Sequence, residues 1–152
     1  MTIIITQERP DTPDAMQLID ELEATLSPLY PDESRHGYSV DKLIRQGVNF
    51  FVVRQDGKPI GCGGVQFYGT DYGELKRMYI HPDYRGQGLS KQLLAHLADY
   101  SQKEGITLLR LETGIHQTAA LGLYENVGFY RIEAFGDYQP DPLAVFMEKQ
   151  LI

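Results

Sequence analysis

Two glycines between a strand-like run and a strongly amphipathic run constrain this chain more than any other feature. Glu74 to Ile80 reads as a strand and His81-Pro82-Asp83-Tyr84 as a turn. After them, Leu89, Leu93, Leu94, Leu97, Ala98 and Tyr100 fall on one helical face, with Gly105 placed to close the helix. The intervening segment is Tyr84-Arg85-Gly86-Gln87-Gly88-Leu89-Ser90. A helix start leaves several backbone N–H groups unpaired and carries the positive end of the helix dipole, and glycine lets a ligand approach the main chain closely. A phosphate fits there. Lys76, Arg77, Arg85 and Lys91 face only Asp83 between positions 76 and 91, so the segment reads as cationic. Taken alone, a glycine pair would indicate no more than a tight turn; the flanking strand, basic residues and helix point to an anion site. The sequence contains neither the GxxxxGK[ST] string of nucleotide triphosphatases nor the GxGxxG of dinucleotide-binding folds.

The rest of the chain supplies a mixed α/β pattern. Ile3 to Ile5 is a short first strand. From about Thr12, with Pro13 and Asp14 in the first turn, Met16, Ile19, Leu22, Leu26 and Leu29 recur at helical spacing until Pro28 and Pro31 stop them. Leu29 to Tyr38 is a loop, and Ser39 caps a short helix through Ile44. Phe50 to Val53 and Ile60 to Tyr68 form a hairpin around Asp56-Gly57, with Gly61, Gly63 and Gly64 hinting at a bulge. Leu108 to Glu112 is a strand, Thr118 to Asn126 a helix stopped by Gly128, and Phe129 to Phe135 and Leu143 to Lys149 two last strands. The strand-helix-strand unit in the middle is expected to be parallel and right-handed. With 152 residues and no repeat, one compact domain spanning 1–152 is expected.

Charge and composition narrow the function. Fourteen Lys and Arg against 21 Asp and Glu give a net charge of -7, which argues against generic binding to nucleic acid or to an anionic membrane. A single cysteine, Cys62, excludes an internal disulfide, and no signal segment or membrane span opens the chain, so a cytoplasmic location is expected. Cys62 reads as a small buried apolar residue rather than a nucleophile. His36, His81, His96 and His116 show no ligand spacing, and no metal is expected.

The glycine loop resembles the GNAT superfamily of acetyl-CoA-dependent N-acetyltransferases. Its core motif is Gln or Arg, two residues, Gly, one residue, then Gly or Ala; Arg85, Gly88 and Ser90 hold those places, Ser90 being a small departure. Glu74 to Pro82 is similar to the family's fourth strand. Ala120-Leu121-Gly122-Leu123-Tyr124, followed by Gly128-Phe129, is similar to its second motif, so the resemblance runs over residues 74 to 130. Gln117 departs from a frequent Asn. The resemblance implies a mixed, largely antiparallel sheet with a central parallel pair splayed into a V and flanked by helices.

It also implies roles. The pyrophosphate of acetyl-CoA would rest on the amides of Arg85, Gly86, Gln87, Gly88, Leu89 and Ser90, and Gln117 would offer a polar contact. The pantetheine arm would pair with the backbone of Met78, Tyr79 and Ile80, and an N–H near Met78 would hold the developing oxyanion. Tyr124 would protonate the departing thiolate; its alternative is core packing on Phe129. Glu74 would take a proton from the acceptor amine; its alternative is an exposed carboxylate or an ion pair with Lys76 or Arg110. Arg35 and His36, in the first loop, would meet a carboxylate on a small amino-acid-like acceptor, or simply be solvated. The loop Gly136 to Pro142 would form the rest of the acceptor pocket. A polyamine or protein amine would instead meet Asp32, Glu33, Asp137 and Asp141. A regulator that binds acetyl-CoA without turnover and a nucleotide-binding domain are the competing classes. Terminal strands in small domains often meet a partner, so a homodimer is among the expected assemblies.

Overall fold

The computed structural model describes residues 1–151. Its elements are β1 (Ile3–Gln7), α1 (Pro13–Leu26), α2 (Val40–Arg45), β2 (Asn49–Gln55), β3 (Lys58–Tyr68), β4 (Tyr72–Ile80), α3 (Leu89–Lys103), β5 (Leu108–Gly114), α4 (Thr118–Asn126), β6 (Tyr130–Ile132) and β7 (Ala144–Gln150). Short 3₁₀ turns at Asp32–Ser34 and Pro82–Tyr84 precede α2 and α3. The strands form a seven-stranded sheet in the order β1-β2-β3-β4-β5-β7-β6, antiparallel except for β4 beside β5. Local chemistry sets the helix starts: the Thr12 hydroxyl accepts from Ala15 N at 3.3 Å and the Ser39 hydroxyl from Lys42 N at 3.1 Å.

The sheet is covered on both faces. Phe51, Val53, Leu75 and Leu109 pack with Leu93 and Leu97 of α3, while Phe50, Val52 and Cys62 pack with Ala15, Leu18 and Leu22 of α1. Consecutive apolar residues in β2 therefore face opposite layers, which is why it reads as an unbroken hydrophobic run. Truncating a fully buried leucine such as Leu18 or Leu97 to alanine costs about 2–5 kcal/mol at sites of this kind. The last hairpin is shorter than its sequence suggests. β6 pairs with β7 only over Tyr130 to Ile132, because Phe135 leaves the strand to pack edge-on against Tyr72 and Phe146.

Two irregularities of β4 make the cleft. Its parallel pairing with β5 covers only Gly73 with Leu109 and Glu74 with Arg110. Beyond that point β4 continues to Ile80 and β5 to Gly114 without pairing to each other, so the two strands open as a V. On the other edge of β4 the register with β3 shifts between Cys62 and Gly64, and Arg77 adopts φ +56, a left-handed conformation costly for a residue with a side chain. Gly63 lies opposite this bulge, and a Cβ there would press on the Met78 sulfur and make that side chain shift.

Candidate active site

The V opens into two cavities that share Leu22, Met78, Gln117, Ala120 and Tyr124. The larger, about 480 Å³, lies between the free edge of β4 and the starts of α3 and α4. Its walls include Met78, Tyr79, Ile80, Arg85, Gly86, Gly88, Leu89, Ser90, Gln117 and Tyr124, whereas Gln87 is exposed and lies off the wall. Gly86 and Gly88 have φ +80 and +76, and a Cβ at either would meet nothing, so it is the conformation that calls for glycine. Gly88 is the N-cap of α3 and brings no side chain to the first-turn N–H groups, which remain free for an anion.

The positive charge is distributed differently from the sequence expectation. Lys76 and Arg77 do not serve the glycine loop; both line the smaller cavity, where Lys76 meets Glu74 and Arg77 meets Glu23. Strand alternation and the bulge send them away from the loop although they are close to it in sequence. Arg85 and Lys91 remain there, and Arg85 Nε donates to Ile80 O at 2.9 Å. Main-chain donors are therefore most of what this loop can offer an anion. Gly88→Val should weaken CoA binding by about tenfold or more in calorimetry, since a β-branched residue in this region costs roughly 1–2 kcal/mol and displaces the amides. Unchanged affinity would place the diphosphate elsewhere.

The smaller cavity, about 120 Å³, is walled by β4, β5, the loop before α2 and Tyr138. Glu74 is not the exposed strand-end carboxylate weighed above: it is 2% exposed, and its Oε2 accepts from Lys76 Nζ at 2.9 Å and from Tyr138 Oη at 2.6 Å. Of its two expected ion-pair partners, Lys76 is the one found; Arg110 pairs with Glu148 at 3.0 Å instead. Lys76 also lies 4.0 Å from the centre of the Tyr38 ring. Burial, and next the Glu74 carboxylate, push the Tyr138 phenol far up.

Across the V, Glu112 on β5 accepts from or bonds His36 Nδ1 at 3.2 Å, the donor depending on the imidazole tautomer. Burial raises the Glu112 carboxyl above the ordinary range, while His36 and Lys76 pull it back. Glu112 was not among the sequence candidates. Leu109 and Leu111 turn into the core, so alternation puts Arg110 and Glu112 on the opposite face. What the sequence hides is that pairing with β4 stops at Arg110, leaving Glu112 as the next residue of that face at the apex of the opening.

Tyr124 is buried, packs edge-on against Phe129 at 5.5 Å between ring centres, and lines both cavities. The packing on Phe129 is thus found, and the acid reading has the ring at the junction of the two cavities. Its hydroxyl makes no hydrogen bond among the described residues, and burial pushes the phenol well above its usual range. Gln117 Oε1 accepts from Gly114 N at 3.0 Å and from the Thr113 hydroxyl at 3.2 Å, so this departure from Asn holds the turn into α4. Arg35 and His36 line the smaller cavity half-buried and are not simply solvated: Arg35 pairs with Glu23 and Asp32, His36 with Glu112. Cys62 is buried, and its thiol is pushed up to about 12, as an inert packing residue should be. No helix among the described residues is long and apolar enough to cross a membrane.

Known proteins share this architecture and sequence. The profile of the "Acetyltransferase (GNAT) family" matches residues 15–129. An "IAA acetyltransferase" from Azospirillum brasilense is 39% identical over 150 residues, covering 98% of each chain. A crystal structure from Klebsiella pneumoniae described as an acyl-CoA N-acyltransferase superposes with a TM-score of 0.85 at 39% identity over 99% of both chains. The PaiA N-acetyltransferase of Thermoplasma acidophilum, crystallised with coenzyme A, shares the fold at a TM-score of 0.77 and 24% identity over 99% of each chain.

Proposed function

Because this chain belongs to the GNAT family of acetyltransferases and uses acetyl-CoA as its co-substrate, we propose that it acetylates a primary amine of a small molecule by direct attack in a ternary complex. The observation that carries this reading is the meeting of two cavities at Met78 and Tyr124, one with an anion seat and one with paired titratable groups. The thioester brings an activated acetyl group. The amides of Gly86 to Ser90 hold the diphosphate, that of Arg85 being donated to Pro82 O at 3.3 Å, and the unpaired edge of β4 from Met78 to Ile80 aligns the pantetheine. An N–H at the bulge near Met78 faces the carbonyl oxygen and stabilises its developing charge.

In this reading the base is Glu112 rather than Glu74. Glu74 is sealed and already accepts from Lys76 and Tyr138, and so positions those two groups. Glu112 faces the opening, takes the amine proton, and passes it toward solvent through His36, whose side chain is 30% exposed. As the nitrogen bonds to the carbonyl carbon, the C–S bond breaks and Tyr124 donates its proton to the sulfur. Burial raises the phenol and makes it a weaker acid, so the transfer depends on the sulfur leaving as a thiolate within hydrogen-bond reach of Tyr124.

The test is CoA release from acetyl-CoA across a panel of acidic, neutral and basic small amines, a polyamine, a peptide N-terminus and IAA, with calorimetry against acetyl-CoA, ATP and NAD. Release with a subset of small amines and tight binding of acetyl-CoA alone is the expected result. Binding without release on any member would make the chain a cofactor-binding regulator, and preference for ATP or NAD would remove the acetyl-transfer reading.

A further inference from the structure

We propose that Arg77 and Arg35 form a clamp for a carboxylate on the acceptor, and that Glu23 fills this clamp in the free protein, so the substrate is an amine that carries a carboxylate. The proposal rests on the acceptor-cavity reading above and adds to it a specificity-determining residue, Arg77. The Arg77 side chain is 4% exposed and lines the smaller cavity. Its Nε donates to Tyr38 O at 2.9 Å and its Nη2 to Glu23 Oε1, whereas Nη1 makes no hydrogen bond among the described residues. Arg35 bonds the other oxygen of Glu23 at 3.2 Å and also Asp32, while its Nε is buried with no partner. Buried guanidinium N–H groups are rarely left unbonded, and here Arg35 Nε is one, in the same cavity wall as an Arg77 Nη1 that has no hydrogen bond among the described residues.

The clamp is built in rather than incidental. The bulge that gives Arg77 its left-handed backbone turns the side chain under the loop before α2, and a Cβ on Gly37 would lie inside the guanidinium. Glu23 sits near the end of α1, is 38% exposed, and bridges both arginines with its two oxygens, the geometry a ligand carboxylate would adopt between two such forks. With room to rotate into solvent, it can give way to a ligand that the sealed Glu74 could not.

The experiment uses the full chain and a panel of the twenty amino acids and their primary amides, read by turnover with acetyl-CoA and by calorimetry in the presence of CoA. An amide's α-amine is less basic and more readily deprotonated, so any preference for the acid form arises from the carboxylate. The wild-type protein should favour the best amino acid over its amide by about 10- to 100-fold. Arg77→Lys and Arg35→Gln should shrink that ratio toward one. Glu23→Gln should lower Tm, because it leaves buried charge uncompensated, and saturating amino acid but not amide should restore it. Equal handling of acid and amide by the wild type, or equal rescue of Glu23→Gln by both, would overturn the clamp while leaving acetyl transfer intact. Preferential binding of the acid without CoA release would uphold the clamp and remove the transfer reading.

Discussion

Tyr124→Phe should lower kcat by about 10²–10⁴-fold while CoA affinity stays within about twofold. The substitution keeps the ring that packs against Phe129, so the wall between the two cavities is preserved and only the hydroxyl is lost. That hydroxyl has no hydrogen-bond partner among the described residues, and its removal leaves none of their buried donors or acceptors stranded, so stability should be unchanged or slightly higher. Loss of kcat with retained affinity is what removal of an interaction made only in the transition state produces. A variant turning over at the wild-type rate would reduce Tyr124 to a packing residue.

Glu112→Gln should cost a similar factor in kcat/KM at neutral pH and also change the pH profile. Burial raises the Glu112 carboxyl, so the acid limb of the wild-type profile should lie above the ordinary carboxylate range, and the variant should lose that limb. The stability sign is opposite to the catalytic one. A carboxyl raised in the folded state contributes stability in full below its unfolded value, and that contribution is lost as pH rises through the folded value. At neutral pH the ionised Glu112 therefore costs stability. The variant should melt higher than wild type at pH 8 and show no gain near pH 4, with each kcal/mol worth about 2–4 °C. Equal activity with the wild-type acid limb intact would return the base role to Glu74 or to water.

The candidate site was legible to different depths on its two sides. On the donor side, close ligand approach is the reason the sequence offers for Gly86 and Gly88, whereas the structure shows that their left-handed backbone calls for glycine; the glycine loop itself is visible in a few adjacent residues. The same holds for Tyr124, whose packing partner Phe129 is five positions away. On the acceptor side the contacts join residues far apart in sequence. Glu112 meets His36 across 76 positions, Arg77 meets Glu23 across 54, and Tyr138 meets Glu74 across 64. No window along the chain contains such pairs, and the cationic appearance of residues 76 to 91 misled because counting charges along a strand ignores which face each one takes.

By itself the sequence determined the element order, the helix caps at Thr12 and Ser39, the hairpin turn at Asp56-Gly57 and the glycine loop before α3, since each is fixed by backbone preferences and periodicity acting over a few residues. Only the tertiary structure decided where β4 and β5 part, which turns Glu112 and Arg77 from strand residues into cavity walls. That point depends on the register of the whole sheet and on the bulge opposite Gly63, and register is settled by packing on both faces at once.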